Sequence, residues 1–210
     1  MIPSTHRSPT ADLLEARPVV LLDGAVAGEI ARRGGALHPV VWSALAHDVD
    51  PELVRGVHEA YLGAGADVVT ANTFATSRHV LAAVGRAAEA PALTRRAVEI
   101  ARSAVERSAD GRRVLVAGSL SNTLAWRSGT FAPDPRFVPD PATEAESYRE
   151  AATALAGAGA DLILLEMMRD VERASLAAAA AKATGLDVWI GLSASLRGDG
   201  SVVGWDLESE

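Results

Sequence analysis

Five short apolar stretches divide the chain into regularly spaced segments. Each is continuously apolar rather than alternating, which is typical of strands buried on both faces of a parallel sheet. Each of the first four is followed by polar or glycine-containing residues and then by a segment with helical character. The stretches lie at residues 19–22, 68–70, 114–117, 162–165 and 188–192. The pattern therefore predicts alternating strands and helices.

Four helices are predicted between these strands. Asp50 and Asp140 each directly precede a proline, so each supplies an N-cap acceptor before a residue suited to the first helical position. The first four strands begin near residues 19, 67, 114 and 162, a spacing of about 48 residues. The helices are predicted at residues 51–62, 93–108, 142–156 and 171–184.

A five-residue segment, GAGAD, occurs twice, at residues 63–67 and 157–161. In both copies glycine permits the left-handed backbone that ends a helix, and an apolar strand follows. We interpret the repeat as part of a (β/α)8 TIM barrel, with a doubly wound sheet as the alternative. Neither GxGxxG after a strand nor GxxxxGK[ST] occurs, which favours the barrel. The chain holds about five βα units of such a barrel.

Composition and charge exclude several classes of function. The formal charge of −7 argues against nucleic acid as a partner, and no apolar run is long enough to span a membrane. The absence of cysteine excludes disulfides and thiolate metal ligands within these residues. Residues 1–18 have no signal-peptide core and are predicted to form a flexible arm before a domain at 19–210, in a cytoplasmic protein.

Candidate ligand residues stand where the predicted strands end. Because the carboxyl ends of parallel strands carry the reactive groups of such folds, these side chains are expected to face one opening. Glu166 follows four apolar residues, a costly place for a carboxylate without a partner, and Asp23 follows the first strand. The alternatives are a structural pair with a loop donor for Glu166 and a turn or N-cap role for Asp23. The candidates are Asp23, Asn72, Thr73, Ser119 and Glu166.

Several motifs together resemble the homocysteine S-methyltransferase family over residues 19–201. The resemblance is carried by LDG at 22–24, GEI at 28–30, VWSA at 41–44, PELV at 51–54, HEAYL at 58–62, AGADVVTANTF at 64–74, VAGS at 116–119 and residues 159–166. Ala25, Ala27 and Gly28 depart from the family pattern, and Leu120 begins a stretch that lacks the usual Gly-Pro.

The resemblance implies a barrel enzyme that moves a methyl group from a donor such as S-methylmethionine to the sulfur of homocysteine, giving methionine. It implies that Asp23 and Glu166 hold the amino group of homocysteine, with Thr73, Asn72 and Ser119 helping to orient it. Carboxylates suit this role because an ammonium group is a three-donor cation. The partners implied are small molecules, and a homo-oligomer is compatible with the resemblance.

The resemblance also implies zinc in a full-length family member, because zinc converts a thiol to a nucleophilic thiolate. The family's three cysteine ligands would lie beyond residue 210, so no catalytic or metal residue is predicted here, and the chain is expected to be a fragment. A non-catalytic amino-acid-binding module without zinc is the alternative. A barrel that uses two carboxylates on a sugar is less favoured, because aromatic residues are scarce near the strand ends.

Overall fold

The computed structural model describes residues 8–108, 110–130 and 132–204. The helices are α1 (Pro9–Ala16), α2 (Val26–Arg32), α3 (Ala46–Val49), α4 (Pro51–Gly63), α5 (Arg78–Leu81), α6 (Ala90–Ser108), α7 (Pro141–Gly157) and α8 (Val171–Lys182). The strands are β1 (Val68–Thr70), β2 (Leu115–Ser121), β3 (Leu162–Met168), β4 (Asp187–Leu192), β5 (Ala194–Leu196) and β6 (Val202–Gly204). Short 3-10 helices lie at Ala82–Val84, Ala87–Glu89 and Pro135–Phe137.

The four predicted helices are confirmed, with ends that differ by up to three residues from the prediction. Their start signals act as expected, because Asp50 accepts a hydrogen bond from the Leu53 amide and Asp140 accepts from the amides of Ala142 and Thr143. The segment that we treated as a flexible arm contains helix α1, and residues 1–7 of it lie outside the described residues.

The main sheet is parallel, with the order β1-β2-β3-β4. The prediction of a full strand at residues 19–22 is wrong, since this segment makes only a single bridge, between Leu22 and Val68. The Leu21 carbonyl accepts from the amides of Asp67 and Val68, and the Asp23 amide donates to the Val68 carbonyl, whereas Val19, at the start of the segment, is 65% exposed. β5 and β6 form a separate antiparallel pair that the apolar pattern did not predict.

The sheet is open in the described part of the chain. The structure therefore shows an α/β fold with a parallel sheet, and not a closed barrel. The strand order of this sheet does not reverse as a doubly wound sheet requires. Helices α4, α6, α7 and α8 pack on one face, against side chains such as Val116 and Ile163. The opposite face carries Leu115 and Leu162, and Leu13 of α1 packs against it.

The repeated GAGAD segment has the same structure in both copies. Gly65 and Gly159 adopt φ of +100° and +89°, the left-handed region that favours glycine. The aspartate of each copy then accepts a hydrogen bond from a backbone amide of the preceding strand segment, Asp67 from Leu21 at 3.1 Å and Asp161 from Val116 at 2.7 Å. The repeat therefore ends a helix and aligns the next strand with its neighbour.

Candidate functional site

A polar layer lies on the Leu115 face of the sheet, at the carboxyl ends of its strands. Side chains alternate across each strand, so Thr70, Ser119 and Glu166 follow the apolar residues that face α1. The loop after residue 22 brings Asp23 beside Thr70. We call Asp23, Thr70, Ser119 and Glu166 the carboxyl-end cluster.

Asp23 is held by the end of β1. Its two carboxylate oxygens accept hydrogen bonds from the Thr70 amide and the Thr70 hydroxyl, both at 2.7 Å. Burial raises the pKa of Asp23, and the bonds from Thr70 offset part of that rise. A Cβ on Gly24 would lie 2.8 Å from the Tyr61 hydroxyl, so a larger residue there would displace the end of that side chain. The LDG motif thus places a carboxylate at the end of β1 and a glycine beside Tyr61.

Glu166 lies at an irregularity of β3. The register between β3 and β4 shifts between Leu165 and Met168, and Met167 takes a left-handed backbone with φ of 52°. Such bulges commonly redirect a side chain next to a functional site. The Ser119 hydroxyl donates to Glu166 Oε2. Burial raises the pKa of Glu166, the bond from Ser119 lowers it, and the negative charge of Asp23 raises it further.

The two carboxylates therefore share one region, as their sequence positions predicted. Thr70, which binds Asp23, ends β1, and Ser119, which binds Glu166, lies near the end of the parallel neighbour β2. The negative charge of Asp23 accordingly contributes to the raised pKa of Glu166. No lysine, arginine or histidine forms an ion pair with either carboxylate among residues 8–204 as far as the structure describes them. The cluster carries negative charge that nothing in the described protein balances.

The other predicted ligand residues are used by the protein itself. The Thr73 hydroxyl donates to the Ser119 carbonyl at 2.7 Å, which ties the segment after β1 to β2. Asn72 is 3% exposed, and its amide bonds Ser43 and His47. Thr70 was not predicted from the sequence. Its place two residues after Val68, on the Leu115 face of the sheet, could have identified it.

Two tryptophans pack together near the carboxyl end of β2, where Trp126 lies in the loop that follows the strand. Trp42 and Trp126 pack edge to face, with ring centroids 4.9 Å apart and planes at 74°. Trp42 has a φ of 52°, a strained conformation for a residue of its size. Both side chains are partly exposed, so aromatic surface lies at the same end of the sheet as the carboxylates.

The residues present do not fit the zinc site that the resemblance implies. The sequence contains no cysteine, and the described residues contain no group of three or more histidine, aspartate or glutamate side chains arranged to hold a metal ion. We therefore derive no chemical step through a metal. A surface cavity of about 890 Å³ lies elsewhere, between α6 and α7, lined by Arg78, Arg95 and Glu150.

The open parallel sheet, with helices on one face and a cluster of acidic side chains at its carboxyl end, defines an α/β protein of the kind that binds small ligands at this end. The chain belongs to the homocysteine S-methyltransferase family, whose model matches residues 20–208. In the described residues no helix is both long and apolar enough to cross a membrane.

Relatives of known name are similar to this chain over most of its length. Homocysteine S-methyltransferase of Escherichia coli (strain K12) is 34% identical over 78% of this chain, and selenocysteine methyltransferase of Astragalus bisulcatus is 31% identical over 73%. The chain spans about half the length of these relatives, 54% and 52% respectively.

The fold is similar to that of the homocysteine methyltransferase MmuM from Escherichia coli. The metallated form matches with a TM-score of 0.73 and 28% identity, over 90% of this chain and 67% of that chain. The oxidized form matches with a TM-score of 0.74 and 29% identity, over 93% of this chain and 70% of that chain.

Proposed function

We propose that this chain provides the homocysteine-binding part of a methyltransferase, which moves a methyl group from a donor such as S-methylmethionine to the sulfur of homocysteine. The observation that carries the proposal is the pair of partly buried carboxylates, Asp23 and Glu166, with no basic partner among the described residues. Two acidic groups whose pKa values are raised in this way bind a cation favourably, because the cation offsets both the burial and their mutual repulsion.

An amino-acid ammonium group has the chemistry that this pair requires. It is a compact cation with three N–H donors, and charge-assisted hydrogen bonds to carboxylates are among the strongest in proteins. Glu166 Oε2 accepts from Ser119, and no bond to Oε1 is formed within the described residues, which leaves this oxygen for a ligand. Ser119 orients Glu166 and Thr73 fixes Ser119, so these hydroxyls would act through the carboxylate.

The reaction is a displacement at the donor methyl carbon. The homocysteine sulfur forms the new bond to the methyl group, the bond from that carbon to the donor sulfonium breaks, and the thiol proton leaves. With S-methylmethionine both products are methionine. The carboxyl-end cluster would hold the acceptor, and the faces of Trp42 and Trp126 offer the attraction that aromatic rings have for a cationic sulfur centre.

We extend the proposal to the fold, which we take to be part of a (β/α)8 barrel. The support is the sequential parallel order of the strands and the placement of the four longer helices on one face. Apolar side chains exposed at both sheet edges, Leu21 at 50% and Ile190 at 54%, fit strands that would pair further in a closed barrel. Zinc, a cytoplasmic location and homo-oligomer formation stay predictions.

Calorimetric titration of the chain with homocysteine tests the assignment. Binding is expected for homocysteine and not for 4-mercaptobutyrate, which lacks the amino group. Glu166→Gln should weaken binding by roughly ten- to a hundredfold, the value of one charge-assisted hydrogen bond. Glu99→Gln, at an exposed site on α6, is the matched control and should bind normally.

The pH dependence of binding provides a second check. The carboxylates must be ionised to hold an ammonium group, so affinity should fall as the pH falls through the raised pKa of Glu166. Equal affinity for 4-mercaptobutyrate, or no effect of Glu166→Gln, would contradict the proposal. In a longer protein that contains this chain, bound zinc together with methyl transfer to homocysteine would support the enzyme, whereas homocysteine binding without metal and without methyl transfer would favour the non-catalytic binding module.

A further inference from the structure

The side-chain amide of Asn72 is enclosed by the segment that precedes α4. Its Oδ1 accepts a hydrogen bond from the Ser43 hydroxyl at 2.7 Å. Its Nδ2 donates to the Ser43 carbonyl at 2.9 Å and lies 3.2 Å from His47 Nδ1. These contacts use both N–H groups of an amide that is 3% exposed. Asn72 therefore has no N–H left to offer a substrate.

Ser43 determines which atom of Asn72 faces His47. A hydroxyl that donates and a carbonyl that accepts fix the amide with Nδ2 toward the imidazole. His47 Nδ1 must then accept, so the ring is neutral with its proton on Nε2. Burial lowers the pKa of His47 to about 4, which keeps this acceptor available near neutral pH. Ser43, Asn72 and Nδ1 of His47 thus form one buried network, whereas Nε2 of His47 is buried without a hydrogen-bond partner among the described residues.

The network is attached to a strained tryptophan. Trp42 directly precedes Ser43 and has a left-handed backbone with φ of 52°. Such a conformation persists only where the surrounding contacts determine it. On the other side of the segment, the Trp126 amide donates to the Val40 carbonyl at 3.1 Å, and the two indoles pack edge to face. The Trp42 segment is thus fixed at two points.

We propose that His47 is a positioning residue: through Asn72 and Ser43 it holds Trp42 in its left-handed conformation and so sets the Trp42–Trp126 pair at the carboxyl end of the sheet. Asn72 then supports the site rather than contacting the substrate. A role of the Trp42–Trp126 pair in methyl transfer rests on the proposed function, whereas the contacts of His47 with Asn72 do not depend on that function.

The exciton circular dichroism of the two indoles reports this geometry without a ligand. The couplet is the difference between spectra of the parent chain and of the same chain carrying Trp126→Phe. His47→Leu removes the acceptor and should abolish most of the couplet. His47→Asn should restore it, because Oδ1 of asparagine takes the place of Nδ1. His47→Gln should lose the couplet, because its amide reaches beyond the position of Nδ1. This variant replaces His47→Leu in the test if the leucine variant fails to fold.

His58→Leu is the matched control for loss of a buried imidazole. His58 is 0% exposed, and neither of its ring nitrogens has a hydrogen-bond partner among the described residues. It lies close enough to His47 for the charge of that residue to lower its pKa, yet it makes no bond to Asn72. The couplet should be retained in this variant. The proposal would be overturned if folded His47→Leu and His47→Gln kept the couplet, or if His58→Leu lost as much of the couplet as the His47 variants.

Asn72→Leu distinguishes a role of Asn72 in holding the Trp42 segment from a role in direct contact with the substrate. Loss of the couplet in a chain that keeps its helical circular dichroism is the expected result. A normal couplet together with weakened homocysteine binding would overturn the proposal and return Asn72 to the ligand set. If the parent chain binds no homocysteine but the couplet follows the expected pattern, the proposed function fails and the positioning role of His47 stands.

Discussion

Acidic side chains lie at both ends of the parallel sheet, and their hydrogen-bonding partners differ between the two ends. At the amino end, Asp67 pairs with Arg17 at 2.9 Å and Asp161 with Arg102 at 3.0 Å, and each also accepts from a backbone amide. In the carboxyl-end cluster, hydroxyl groups of Thr70 and Ser119 and the Thr70 amide are the donors, and no basic side chain of the described chain joins them.

The difference separates stabilising acids from ligand-binding acids. An acid paired with arginine and with a backbone amide is already balanced, so it contributes to the alignment of the strands. An acid that is partly buried without a cation raises the energy of the free protein, and that cost is recovered when a cationic ligand binds. Because the strand direction is common to both ends, only the local partners decide which role an acid takes.

Among the single substitutions, the largest effect on stability is expected from Asp161→Ala at the amino end. The substitution leaves the buried amide of Val116 without its acceptor and Arg102 without its carboxylate partner, at a cost of roughly 2–4 kcal/mol in the free energy of unfolding. Urea denaturation measures the change. Glu99→Ala, at an exposed position on α6, is the control and should change stability little. A loss no larger than that of the control would break the comparison.

Acid is expected to weaken the fold through buried histidines rather than through the carboxyl-end cluster. Burial lowers the pKa of both His47 and His58 to about 4 from the ordinary value of 6.5. Because the unfolded chain binds protons more readily, stability should be lost as the pH falls from about 6.5 toward 4, on the order of 3 kcal/mol for each group.

His58→Leu sharpens this prediction. The variant lacks one of the two buried imidazoles, so thermal unfolding midpoints should decline less steeply between pH 6.5 and 4 than in the parent chain. Glu166 and Asp23 act in the opposite direction, since their raised pKa values make the folded chain bind protons more readily than the unfolded one. An unchanged slope in His58→Leu would contradict the role given to this histidine.

The smallest effect on stability is expected from Glu166→Gln. The amide oxygen can still accept from Ser119, and the uncompensated charge beside Asp23 disappears. Unfolding free energy should therefore stay level or rise, by up to about 1 kcal/mol. The same urea series measures it. A clear loss of stability would show that Glu166 has a structural role, as the alternative of a pair with a loop donor holds.

Much of the site could be predicted from the sequence because chemistry at strand ends follows from strand direction. Glu166 ends an apolar run, and Ser119 and Asp23 stand at equivalent places, so their meeting required only parallel strands. Thr70 was not predicted as a site residue because a threonine at the end of an apolar stretch is typical of an ordinary β-branched strand residue. His47 was not predicted because its partner Asn72 lies 25 residues away in the chain, and only the folded packing brings them together.

By itself, the sequence determined the four longer helices, three full strands beside the shorter β1, and the repeated glycine turns, since these depend on local periodicity, capping residues and backbone freedom. It did not predict the shorter helices α1, α2, α3 and α5. Tertiary structure alone decided that residues 19–22 make only one bridge, that Leu13 covers one face of the sheet, and that the amide of Asn72 is turned into the protein. These outcomes depend on which surfaces find partners in space, and partners far apart in the chain leave no pattern in neighbouring residues.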